Sequence, residues 1–141
     1  MGRRLSMDID KIMQRDNLPI VHINAKLKDA IGEIDSGGLG CVIVVDDKNR
    51  LKGILTDGDV RRMVVRDRLD LDGSVYHFMT KNPRFGREGE TGARMLDIME
   101  QAEITVLPVV DEKMVVKGVV HLHDLLGKGR LKFNGVNWLR S

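Results

Sequence analysis

One segment of the chain is written twice. Gly53-Ile54-Leu55-Thr56-Asp57-Gly58-Asp59-Val60 recurs as Gly118-Val119-Val120-His121-Leu122-His123-Asp124-Leu125, 65 positions later in a chain of 141. Each copy follows an apolar run that ends in an acid, Val42-Ile43-Val44-Val45-Asp46 and Val106-Leu107-Pro108-Val109-Val110-Asp111. Self-similarity at a fixed period marks two like units that bury their apolar faces against each other. The crevice between such units is a natural place for a ligand.

The flanking pattern repeats as well. In the first unit a lead-in near 10–13 and a loop at 16–19 precede a short strand over 20–23. A helix follows over 26–34, with Leu27, Ala30, Ile31 and Ile34 on one face, and Ser36-Gly37-Gly38 stops it. The β-branched run 42–45 reads as a strand buried on both sides. Asp46-Asp47-Lys48-Asn49 turns the chain, 51–55 returns as a second strand, and 57–65 is a closing helix. The charged stretch 67–73 links the halves. The second unit repeats the order: a lead-in over 75–80, a helix over 91–101, strands over 105–110 and 114–120, and a last helix over 122–126 that Gly127 and Gly129 break. The organisation predicted is 1–7 as a junction, 8–66 and 74–127 as the two repeats, and 128–141 as a basic tail. The segment 133–139 has no counterpart in the first unit, and both docking and disorder are open to it.

Composition narrows the classes. The chain is 42% hydrophobic with only 3 Phe, 1 Trp and 1 Tyr, so Val, Ile, Leu and 8 Met must fill the core. Lys128, Arg130, Lys132 and Arg140 give the tail a charge of +4 against a chain total of +2, leaving the body slightly acidic. A body without a basic face argues against nucleic acid as the partner. The single Cys41 cannot form an internal disulfide, which points to a reducing, cytoplasmic setting and a buried thiol. No apolar run approaches the roughly 20 residues of a membrane span, and Met1-Gly2-Arg3-Arg4 does not lead into a signal-peptide core.

These residues resemble a tandem pair of cystathionine-β-synthase (CBS) domains. Met13 and Met79-Thr80-Lys81-Asn82-Pro83 are similar to the Met-Thr-x-x-Pro string that opens such modules, and Gly53 to Asp59 to their Gly-x-x-Thr-x-x-Asp nucleotide-contact motif. More narrowly, Thr56-Asp57-Gly58-Asp59-Val60-Arg61-Arg62, the string from Val120 to Leu126, and Gly2-Arg3-Arg4-Leu5 are similar to the C-terminal regulatory half of arabinose-5-phosphate isomerases. In those enzymes a sugar-isomerase domain precedes the CBS pair, and that domain is absent from this sequence. The resemblance implies an α/β fold of two β-α-β-β-α repeats with pseudo-twofold symmetry, association into a homodimer, and no catalytic residues of its own.

Several residues carry both a functional and a structural reading. Thr56, beside the first amides of a helix, can hold a phosphate. Asp59 can accept hydrogen bonds from ribose hydroxyls. The same pair also reads as a capping box, and the two readings are compatible. In the second copy His121 replaces the Thr and His123 the Gly, while Asp124 keeps the carboxylate. A ring in place of a hydroxyl argues against an adenine nucleotide there and for a larger anion, with a solvated or backbone-bonded histidine as the plain alternative. Arg61 and Arg62 follow the first motif, as forked donors for an anion or as a helix face paired with Asp57 or Asp59. His22, in the first strand, can line the crevice or lie on the surface. His121, His123 and Asp124 are too few for a structural zinc site, so no metal is expected. No nucleophile and base stand at a triad spacing, and Gly37-Gly38-Leu39-Gly40 lacks the Lys of a phosphate loop.

The expectation is therefore a sensing module without cofactor, its helices forming the interface between the repeats and Asp59 and Asp124 facing a shared gap. Its ligand is a nucleotide or nucleotide-sugar, with CMP-Kdo, the activated sugar of lipopolysaccharide synthesis, as the feedback candidate. An AMP- or ATP-sensing pair from another parent, or a purely structural oligomerisation piece, are the alternatives.

Overall fold

The computed structural model describes residues 5–127; the expectations for the tail at 128–141 and for positions 1–4 lie outside them. In the first half, β1 (Ile20–His22), α1 (Leu27–Gly37), β2 (Cys41–Val45), β3 (Leu51–Thr56) and α2 (Asp57–Val65) follow one another. In the second half, β4 (Thr80–Lys81) precedes β5 (Gly86–Arg87), α3 (Gly92–Ala102), β6 (Val106–Val110), β7 (Val116–His121) and α4 (Leu122–Leu126). Each half thus has the β-α-β-β-α order read from the sequence. β1 runs parallel to β2 and β5 parallel to β6, while β2–β3 and β6–β7 are antiparallel hairpins. Helix α1 buries Leu27, Ala30 and Ile34 and ends at Gly38, whose φ of 74° is the left-handed cap that glycine adopts without cost.

The lead-in segments are exchanged between the halves. β4 belongs to the second half by sequence but pairs with β3 of the first, Gly53 opposite Lys81 and Ile54 opposite Thr80. Reciprocally, Gln14 joins β7 through N–H···O bonds of 2.8 and 3.0 Å with Val119. The cores follow the exchange. Ile9 and Met13 pack with Met95, Met99, Leu107 and Leu125 of the second half. Val75 and Met79 pack with Leu27, Val42, Val44 and Leu55 of the first.

The interface between the halves corrects one expectation: sheets form it, not helices. Cys41, Ile43, Val45 and Leu51 of one sheet face Val106, Val110, Val116 and Val119 of the other. Strands β2 and β6 are buried at all five positions because their own helices cover one face and the opposite sheet covers the other. A pseudo-twofold axis passes through the antiparallel bridge Arg50–Val115, where Leu51 N–H donates to Met114 O (2.8 Å) and Val116 N–H to Asn49 O (3.0 Å). The acid ending each apolar run closes its hairpin. Asp46 accepts from the N–H groups of Lys48 and Arg50 at 3.0 and 2.9 Å, and Asp111 from those of Lys113 and Val115 at 2.8 and 2.9 Å.

Candidate functional site

Thr56 ends β3 and caps α2. Pairing with Cys41 and the bond from Asp57 N–H to Gly40 O (3.0 Å) fix the chain as it turns into the helix. The Thr56 hydroxyl accepts from Asp59 N–H at 3.2 Å, and Asp59 Oδ2 accepts from Thr56 N–H at 2.9 Å, a reciprocal capping box. Asp59 Oδ1 accepts from Arg62 at 2.7 Å. These bonds use two of the roughly four lone-pair directions of an ionised carboxylate, so acceptor capacity remains. The missing Cβ of Gly58 leaves room for guanidinium nitrogens: a methyl group there would meet Arg62 at 3.3 Å and Arg61 at 3.7 Å. The N-cap and first two turns of α2 thus carry Thr56, Asp59, Arg61 and Arg62.

The second copy builds the same cap with different atoms. His121 ends β7 and caps α4, its Nδ1 accepting from His123 N–H at 3.1 Å, while Asp124 Oδ2 accepts from His121 N–H at 2.8 Å. A ring nitrogen that accepts carries no proton, so this bond assigns the neutral His121 proton to Nε2. The His121 and His123 rings meet edge to face at 4.8 Å. His123 fills the position of Gly58, which excludes here the open first turn seen in α2.

The structure separates other residues that the sequence grouped. β3 and β7 leave the axial bridge Arg50–Val115 in opposite directions. Thr56 and His121 end six residues from it on opposite sides, so Asp59 and Asp124 do not face a common gap. His22 stands opposite Val45, at the other end of β2 from Thr56, about 13 Å along the strand. There its Nε2 meets Asp47 at 2.6 Å and its Nδ1 accepts from Asn24 N–H at 3.0 Å.

Hollows open at the surface of the described residues. One, of about 170 Å³, is bounded by Asp59, Arg62, Met63, Arg66, Arg68 and Phe78. Sequence reasoning missed Arg66, Arg68 and Phe78; the Arg62–Arg66 spacing of one helical turn was the available signal. Another, of about 540 Å³, lies at the far end of the second sheet between Arg87, Glu88, Asp111, Glu112 and Lys117, and no predicted site residue lines it. Cys41 lies wholly buried behind the first site, where burial and then the Asp57 charge push its thiol up to about 12.

The CBS domain family profile matches residues 8–66 and 75–129. The chain belongs to this family. The CBS pair is 38% identical over 127 residues to the arabinose 5-phosphate isomerase KdsD of Francisella tularensis, with 89% of this chain and 38% of that protein covered. It therefore spans about two fifths of that relative's length. Among solved structures it is similar to a CBS domain pair/ACT domain protein of Thermotoga maritima, with 28% identity, a TM-score of 0.73, and 86% of this chain and 94% of that one covered. It also shares the fold of CBSX2 in complex with AMP, with 19% identity, a TM-score of 0.74, and 86% and 95% covered. No helix among the described residues is long and apolar enough to cross a membrane.

Proposed function

We propose that this CBS pair is the ligand-sensing, non-catalytic part of a longer sugar-phosphate isomerase acting on D-arabinose 5-phosphate, and that it binds a nucleotide or nucleotide-sugar at its two strand-to-helix corners. The repeats that do so are 8–66 and 74–127. An isomerase domain precedes them in the parent, and the pair associates as a homodimer in the cytoplasm. The observation that carries this reading is the duplicated corner itself: in both copies a carboxylate, Asp59 or Asp124, is fixed by the same backbone bond beside a helix start. At the first corner Asp59 reads sugar hydroxyls while Thr56, Arg61 and Arg62 meet the anionic part. At the second, Asp124 reads hydroxyls and His121 meets the anionic part. A module of this kind regulates only if its ligand binds two arrangements unequally.

Thermal-shift titration with CMP-Kdo, AMP and ATP tests the assignment. Stabilisation by CMP-Kdo that is lost in Asp59→Ala/Asp124→Ala supports a feedback sensor of lipopolysaccharide sugar synthesis. Response to AMP or ATP with none to CMP-Kdo favours an adenine-nucleotide sensor, the reading favoured by the likeness to a CBS protein in complex with AMP. No shift with any of the three leaves an oligomerisation piece and refutes sensing.

A further inference from the structure

Behind the first corner, one acidic residue and three arginines line a hollow. Arg62, Arg66 and Arg68 border the 170 Å³ hollow, with Met63 and Phe78 as its apolar walls and Asp59 as the one acid on its rim. Two features of the backbone bring the arginines together. Arg66 caps the C-terminus of α2, its N–H donating to Arg62 O at 3.0 Å, which sets it one turn beyond Arg62. The chain then reverses at Asp67, whose φ is 54°, and Arg68 N–H closes back onto Met63 O at 2.8 Å, which returns Arg68 to the side of its two neighbours. Arg62 is held in place by Asp59 Oδ1. Among the described residues neither Arg66 nor Arg68 forms an ion pair.

Asp59 carries one negative charge, so it cannot balance three arginines. Arginines that line one small concave space suit tetrahedral oxyanions, which guanidinium groups meet with paired hydrogen bonds. The three arginines are not repeated in the sequence: at the 65-residue offset from Arg62, Arg66 and Arg68 it carries Gly127, Leu131 and Phe133.

We infer that the Arg62–Arg66–Arg68 hollow of the first repeat is a phosphate-binding site that takes a phosphate or diphosphate group with an apolar flank against Phe78. It shares Asp59 and Arg62 with the first corner and rests on that corner as the anion side of the proposed site, while Arg66 and Arg68 are its own, and pyrophosphate tests them whether or not a nucleoside binds. Titration calorimetry of inorganic pyrophosphate into the full chain at low salt should give saturable binding that weakens as salt is added. Arg66→Gln/Arg68→Gln should weaken that binding by about tenfold or more. Because both side chains are exposed, the same variant without ligand should melt as the parent chain does. Lys11→Gln, which removes an exposed cation from the lead-in packed on the second half, should leave pyrophosphate binding unchanged. Absence of saturable binding, binding indifferent to the double substitution, or binding abolished by Lys11→Gln would each overturn the assignment.

Discussion

Gly53→Ala is expected to destabilise the protein by about 1–3 kcal/mol, the cost of overpacking a closed site. Gly53 lies in β3 where the exchanged lead-in crosses it. A Cβ built there would stand 2.8 Å from Met79 Cγ and 2.9 Å from the carbonyl oxygen of Thr80, and it would also meet Met79 Sδ. Carbon atoms pack comfortably at about 3.5–4.0 Å, so the added methyl is roughly 1 Å too close. Met79 is 8% exposed and flexible, and its thioether can yield. The Thr80 carbonyl cannot move alone, since it belongs to β4, which is paired to β3 at this same point. Relief therefore requires the lead-in to draw away from the sheet, weakening hydrogen bonds worth about 1 kcal/mol each. The entropy that alanine removes from the unfolded chain returns only about 0.4–1 kcal/mol. Gly118 is the pseudo-symmetric case, with Met13 Cγ at 2.9 Å and Gln14 O at 2.8 Å from its virtual Cβ. Equilibrium urea unfolding of Gly53→Ala, Gly118→Ala and Gly32→Ala provides the assay. Gly32 sits exposed in α1 with nothing within 4 Å, so its substitution should stabilise by up to about 1 kcal/mol. A Gly53→Ala variant as stable as the parent chain would refute the reasoning. So would strict additivity of Gly53→Ala with Met79→Ala, because two groups competing for one space must couple.

Three further outcomes follow from single sites. Partial burial alone would raise the Asp46 carboxyl, but the Arg50 and Lys48 amides and the Arg50 guanidinium hold it at about 2 against an ordinary 3.8. Asp111 is lowered too, chiefly by the Val115 amide. Both groups thus contribute stability that is present above the ordinary carboxylate range and lost as the pH falls below it, for Asp46 toward 2, and the stability gap to Asp46→Asn/Asp111→Asn should close as the pH falls in urea midpoints. Cys41 is wholly buried with its thiol raised to about 12, so an aromatic disulfide reagent at pH 8 should label it only as fast as the protein unfolds. Thr56→Ala should cost about 1 kcal/mol through the lost cap while Thr56→Ser keeps most of it, read by thermal melting without ligand.

Much of the fold was legible because its strands are long and its punctuation strong. Val42-Ile43-Val44-Val45 announced burial on both faces, and the structure supplies both covers. The acids closing the two apolar runs were visible, and their role as hairpin acceptors explains why an acid stands there. The two-residue strands β4 and β5 were not legible, since neither is long enough to show alternation. Nor was the exchange of lead-ins: periodicity reports that Met13 and Met79 are buried, not which half buries them. Yet the duplicated Gly and the duplicated Met were both on the page, and their contact across the halves accounts for each.

The corner at Thr56 was readable because a capping box is a local device, four residues long. What surrounds it was not, because Phe78 reaches the rim of the first corner only through the exchanged lead-in, and Arg68 only through a left-handed turn at a residue, Asp67, that carries no glycine signal. The expected common gap failed for a reason that symmetry supplies. A twofold axis placed at the hairpin tips sends matching residues to opposite ends, and only residues near the axis, such as Arg50 and Val115, can meet their partners. The two corners are consequently apart, and they differ: hydroxyl, glycine and arginines at one, paired imidazoles at the other. At the first corner a helix of one half and a lead-in of the other share a single hollow. A ligand bound there, as proposed, would touch both halves at once, and it would regulate by binding more tightly to one arrangement of the halves than to another.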